Sequence, residues 1–172
     1  EKVLAVREDR AERHGDELAA LLRALDRASR WCADPGNRAD LAALLARPDF
    51  VGVDAATIER TLAGTLPVGI DEAPMAIDGF LRFHGAASGG PLNRPRVADG
   101  LWFAAQMLRR GQYRDRRDAF AAASLAFAPD LWDRTFGRPD TIGAEVVTAF
   151  TGPTFAASAP EAWLDAPVSA AS

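Results

Sequence analysis

The stretch from Arg96 to Gly111, RVADGLWFAAQMLRRG, sets the fold class. Val97, Leu101, Trp102, Ala105 and Leu108 recur at three- and four-residue spacing, which gathers them on one side of a helix, and Gly111 stands where that helix must stop. The same period runs outward in both directions. Upstream, Asp16 is placed to cap a long helix carrying Leu18, Leu21, Leu22, Leu25, Ala28 and Trp31 or Cys32, closed by Pro35 and Gly36. Asn37 then caps Arg38 to Arg47, with Leu41, Leu44 and Leu45 on one side, and Asp54 starts a third helix through Leu62, ended by Gly64. Downstream, Asp115 or Asp118 opens a helix through Phe127, and Pro129 opens a short one through Phe136, closed by Gly137.

Three segments lack this period. Val3, Leu4, Ala5 and Val6 form a run too short for a helix and suited to a buried strand, yet nothing later offers a clear set of partner strands. From Thr65 to Arg96 the chain is broken by Pro67, Gly69, Pro74, Gly79, Gly85, Gly89, Gly90, Pro91 and Pro95, and His84 to Arg96 is its most ligand- or partner-facing portion. Beyond Arg138 it runs loosely extended around Val146, Val147 and Phe150, turns once as a helix at Trp163 and Leu164, and frays from Ala166 to Ser172. The expectation is a mostly α fold, α+β with one or two strands. No repeat or linker divides residues 1–172, which read as a single unit with a helical region at 16–136 and an extended tail at 137–172.

Composition narrows the function classes. The chain has 20 basic against 24 acidic side chains, a net charge of −4, too acidic and too even for direct nucleic-acid binding. Apolar residues at 48% and charged ones at 26% are those of an ordinary globular chain, and no apolar run approaches the ~18 residues that would cross a bilayer. Lys2 is the only lysine, a bias we attribute to base composition. The single Cys32 makes no internal disulfide and reads as a small packing residue beside Trp31. The chain opens on Glu1 rather than Met and reads as a piece of a longer protein.

The usual chemical signatures are missing. One cysteine and two widely separated histidines furnish no structural zinc site, and the glycines around Gly85, Gly89 and Gly90 lack the lysine and serine or threonine of a phosphate-binding loop. Ser88, His84 and Asp99 assemble a Ser-His-Asp set on paper, but no nucleophile elbow surrounds the serine. His84 and His14 read as hydrogen-bonded or solvent-facing groups, His14 beside a helix end. Arg109, Arg110, Arg114, Arg116 and Arg117 are interleaved with Asp115 and Asp118, a solvated and self-neutralising face. Trp31, Trp102 and Trp132 fall on apolar helical faces, where core packing is expected. No catalytic residue, metal or cofactor is assigned.

Taken in order, Glu1-Lys2-Val3-Leu4-Ala5-Val6, Ala28-Ser29-Arg30-Trp31-Cys32, Asn37-Arg38-Ala39-Asp40-Leu41-Ala42 and Asp49-Phe50-Val51-Gly52-Val53 resemble the second half of the nitrate/bicarbonate-type solute-binding proteins of ABC transporters. The likeness continues through Phe83-His84, Asn93, Pro95, Gly100 to Met107, Arg109-Arg110-Gly111-Gln112 and Pro129-Asp130-Leu131-Trp132. It departs at Arg110, where relatives carry an aromatic, and after Gly137. The resemblance implies the C-terminal portion of a two-lobed, type II periplasmic-binding-protein fold, with residues 1–7 as a crossing strand and the N-terminal half of the protein elsewhere. It places ligand contact on Lys2 alone, in its Glu-Lys-Val setting. The implied function is binding of a small oxyanion, nitrate, nitrite or bicarbonate, with no chemistry on it. The implied partner is the membrane permease of an ABC transporter, and the location is periplasmic or membrane-anchored outside the inner membrane. A cytoplasmic nitrate or nitrite sensor that sequesters an RNA-binding antiterminator protein shares this half. An enzyme akin to those of thiamine-pyrimidine synthesis would need a reactive group such as His84 in the cleft.

Overall fold

In the computed structural model, residues 3–69, 72–87, 90–139, 146–147 and 154–166 are described. Their contacts form two compact units, Glu1–Leu22 with Ala86–Ser172, and Arg23–Gly85. A single unit was the expectation from the lack of a linker. The division leaves no compositional mark because one boundary falls within a continuous helix and the other in the glycine-punctuated stretch at Gly85.

The first unit opens with Val3–Arg7, which is neither helix nor strand, and Val3 is 80% exposed. The crossing strand expected over residues 1–7 therefore has no ladder partner among the described residues, and a lone strand leaves its N–H and C=O groups unpaired. Two helices follow, α1 at Glu8–Arg13 and α2 at Gly15–Ala33. The sequence reading had no counterpart for α1, and Asp16 lies within the first turn of α2 rather than capping it. An acidic group there still complements the helix dipole.

Arg23–Gly85, the second unit, contains a 3₁₀ turn at Pro35–Asn37, then α3 at Arg38–Leu45 and α4 at Ala55–Leu62. Asn37 does not cap α3: its side-chain amide donates back to the Trp31 carbonyl at 3.0 Å. Asp54 does cap α4, accepting from the Thr57 N–H at 3.0 Å, and hydrogen bonding with the Thr57 side chain first, and with that N–H second, holds its carboxyl below the usual range. Leu41, Ala42 and Ile58 are the buried apolar residues between these helices. Strand β1, Thr65–Leu66, pairs antiparallel with β2, Met75–Ala76. Gly64, at φ +78°, precedes them so closely to Ile77 that a Cβ would strike the Ile77 carbonyl oxygen.

The rest of the first unit is built on α5, Val97–Arg109. Before it, β3 (Ala86–Ala87) and β4 (Gly90–Pro91) pair antiparallel, and after it come α6 at Arg116–Ala126 and α7 at Pro129–Phe136. Beyond them, β5 (Val146–Val147) pairs with β6 (Phe155–Ala156), and α8 spans Pro160–Asp165. The fold is mostly α, and the strands are two-residue pairs, more numerous than the one or two expected. Leu101, Ala104 and Ala105 of α5 form the core with Ala119 and Phe120 of α6, Phe155 of β6 and Trp163 of α8. The segment expected as an extended tail thus supplies two large core rings, in edge-to-face contact at 5.9 Å between centroids. Phe150 and residues 167–172 lie outside the described residues.

Two devices fasten irregular backbone to these helices. The Arg109 guanidinium stacks on the Trp163 ring at 3.5 Å and donates to the Trp163 carbonyl at 2.7 Å. Arg94, ahead of α5, makes a two-pronged ion pair with Asp133 of α7, both bonds 2.8 Å, with both side chains nearly buried. That hydrogen bond, chiefly, holds the Asp133 carboxyl below its usual range despite burial.

Two predictions follow from this packing. At Gly100, an added Cβ would lie 2.5 Å from Phe127 Cδ2 and 2.9 Å from the Ala123 carbonyl oxygen. Gly100→Ala gains about 1 kcal/mol of helix propensity but forces α6 backbone aside at a cost of about 1–3 kcal/mol, so a net lowering of the thermal midpoint is expected. A rise in that midpoint would refute the close crossing. A carboxyl depressed on folding stabilises above its unfolded pKa and loses that contribution as pH falls through the folded value. Asp133→Asn should therefore destabilise the first unit at neutral pH by about 3 kcal/mol and flatten its acid-unfolding profile, measured by urea titration across pH 2 to 7.

Candidate functional site

Lys2, the residue to which the resemblance assigns ligand contact, lies outside the described residues. Among the described residues, a hollow lies where Val6 meets the first two helices. It has a volume of about 180 Å³ and is lined by Val6, Arg10, Ala11, His14, Glu17, Leu18 and Leu21. His14 ends α1 and Glu17 stands in the first turn of α2, so the break between the helices brings them together. One carboxylate serves both neighbouring basic groups, with Glu17 Oε1 3.1 Å from His14 Nδ1 and Glu17 Oε2 3.7 Å from Arg10 Nη2. The floor is apolar and the rim is an exposed, internally matched charge set. Such a wall can pack against chain or solute, but its cation is exposed and already faces a carboxylate, so solvent screening leaves it a weak hold on a small anion.

The other residues singled out from sequence are placed as follows. His84 sits 3.3 Å from Asp26 Oδ1, and Arg30 Nε donates to the other oxygen of Asp26 at 2.8 Å. This set ties the segment before Gly85 to α2 within the second unit. Asp99 pairs with Arg96, and the Ser88 side chain lies outside the described residues. The carboxylate facing His84 is Asp26. Burial pushes the Cys32 thiol up, which keeps it protonated and unreactive at neutral pH. Among the described residues no group of three or more His, Cys, Asp or Glu side chains could hold a metal ion.

The arginine cluster is only partly self-neutralising. Arg116 reaches Asp165 at 2.9 Å and Arg109 is committed to Trp163, whereas Arg110, Arg114 and Arg117 are exposed. Of the three tryptophans expected in cores, Trp31 is 41% exposed. Trp102 is half-buried against the α5 core with its Nε1–H lacking a partner among the described residues, and Trp132 leans on Phe136 at 4.7 Å. Sequence reasoning missed Trp163 and Phe155 as core and Arg94–Asp133 as a buried pair. The signal available was Pro160 ahead of Trp163. An Arg and Asp 39 residues apart give none.

Comparison with known proteins agrees on one class. A family model described as NMT1-like matches residues 1–46. The chain is 29% identical over 96% of its length to the nitrate/nitrite binding protein NrtA of Synechococcus elongatus, and 26% identical over 95% to the bicarbonate-binding protein CmpA of the same organism. It spans about two fifths of each, 38% and 39%. It is also 30% identical over 93% of its length to the nitrate import ATP-binding protein NrtC of Synechocystis, covering 24% of that protein. Its fold matches the crystal structure of the periplasmic nitrate-binding protein NrtA from Synechocystis with a TM-score of 0.78, at 21% identity, covering 93% of this chain and 43% of that one. In sequence the chain is similar to the C-terminal part of nitrate- and bicarbonate-binding solute-binding proteins, and its fold is that of the matching part of a periplasmic nitrate-binding protein.

Proposed function

We propose that the chain is part of the solute-binding component of an ABC uptake transporter for a small oxyanion of the nitrate, nitrite or bicarbonate class, binding its ligand without chemical change. The observation that carries this reading is similarity along nearly the whole chain, 96% of it, to a nitrate/nitrite binding protein, joined to the fold match with a periplasmic nitrate-binding protein. The identities to the nitrate/nitrite and bicarbonate binders, 29% and 26%, are too close to choose between anions. The sensor reading finds no support among these relatives. Location outside the inner membrane goes with the class, and no helix among the described residues is long and apolar enough to cross a membrane.

In this reading Lys2 is the ligand contact. A planar oxyanion removed from water loses strong hydration, and the loss is made good only by a cation or several N–H donors aimed at its oxygens. A lysine ammonium supplies one positive charge and three donors at the end of a flexible stem.

The test is titration calorimetry of the full protein bearing this chain with nitrate, nitrite and bicarbonate. One of them is expected to bind, and Lys2→Gln should weaken it by about 10- to 100-fold, the loss expected for removing a charged hydrogen-bond donor. Silence toward all three anions would end the class assignment. Unchanged affinity in Lys2→Gln would remove Lys2 from the site while leaving the class intact.

A further inference from the structure

The corner between α5 and α6 is used by nothing described so far. Residues 109–118 hold five arginines and two aspartates, against a net charge of −4 for the whole chain. Some of these charges are committed: Arg109 to Trp163, Arg116 to Asp165, and the Asp115 carboxylate to the Asp118 N–H at 2.8 Å, where it caps α6. Arg110, Arg114 and Arg117 are exposed and have no ion-pair partner among the described residues. On α5, positions 103, 107 and 110 share one face, opposite the buried Leu101, Ala104 and Ala105. That face presents Phe103 at 52% exposure and Met107 at 37%, leading into Arg110, with Tyr113 at 42% in the turn beyond.

We propose that this corner rests on an anionic membrane surface, with the three free guanidiniums on lipid phosphates and Phe103 and Met107 at the headgroup boundary. An apolar stripe running into uncommitted arginines is the amphipathic pattern that lies in a bilayer interface. A lipid surface suits these side chains better than an acidic protein would. No second contact holds the guanidiniums, so they offer no preset fork for a particular carboxylate, but a fluid array of phosphates can gather around them. The inference does not depend on which anion the protein binds.

Flotation of the full protein with vesicles of equal phosphatidylglycerol and phosphatidylcholine, and with vesicles of phosphatidylcholine alone, tests it. Binding is expected to the first, falling with salt, and not to the second. The triple variant Arg110→Gln, Arg114→Gln, Arg117→Gln should lower the partition constant on the order of a hundredfold, roughly fivefold per arginine. Phe103→Ser should lower it severalfold, and helicity by circular dichroism should be unchanged in both. Equal binding by the triple variant, equal binding to neutral vesicles, or no binding at all would overturn the proposal. So would capture by immobilised polyglutamate that the triple variant loses while vesicles stay unbound, since the corner would then be an acidic-protein surface.

Discussion

The close approach of α5 and α6 is the constraint on which the larger unit rests. Alanines at 104, 105 and 119 and the bare Gly100 let the helices approach closely. Small residues release little hydrophobic free energy of their own, at roughly 25 cal/mol per Å² of apolar surface buried. The aromatic groups at the ends of the contact supply the larger areas: Phe120 from α6, and Phe155 and Trp163 from the C-terminal segment. The alanines set the distance, and the rings fill what that distance leaves open. This accounts for an alanine-rich chain folding around a core with few leucines.

Electrostatics serves a different purpose here. Exposed pairs such as Arg47 with Asp49 contribute on the order of 0–1 kcal/mol and leave the fold indifferent to their loss. Arg94 with Asp133 is the exception, since both side chains are nearly buried and each would be stranded without the other. It joins the irregular entry to α5 with α7. The Arg109–Trp163 stack does the same for the C-terminal segment. The first holds irregular backbone and the second holds the short helix α8, and neither segment is restrained by an extended ladder.

How much could be read from the sequence divides along the range of the interaction. Helix stops and caps set within a few residues were legible: Gly111 and Gly137 follow α5 and α7, and Asp54 and Asp115 cap α4 and α6. Asn37 misled because its side-chain NH2 donates to the Trp31 carbonyl while its oxygen does not accept from the α3 N–H groups as a cap requires, and nothing in composition ranks the two roles. Trp31 misled because an apolar stripe shows which residues share a face, not whether a neighbour covers it. The two-residue strand pairs carry no periodicity at all, and the union of Phe155 and Trp163 with α5 is a long-range event that local spacing does not encode. Of the candidate site, Lys2 came from resemblance alone, while the Arg10–His14–Glu17 rim came from neither resemblance nor motif.

The distribution of committed cations bears on the proposed ligand chemistry. Among the described residues the most buried cation, Arg94, is held by two hydrogen bonds to Asp133, and Arg96 is likewise matched by Asp99. Freeing Arg94 for a solute would leave the Asp133 carboxylate nearly buried without its chief partner, at a cost of several kcal/mol, more than an anion contact returns. The exposed arginines carry no such commitment, but solvent and salt screen them, so they hold a small hydrated anion poorly. An oxyanion site in this protein therefore depends on a cation that starts unpaired and is then closed off from water. On the proposed reading Lys2 is assigned that part, because Arg94 and Arg96 are matched by carboxylates and the exposed arginines are left open to screening.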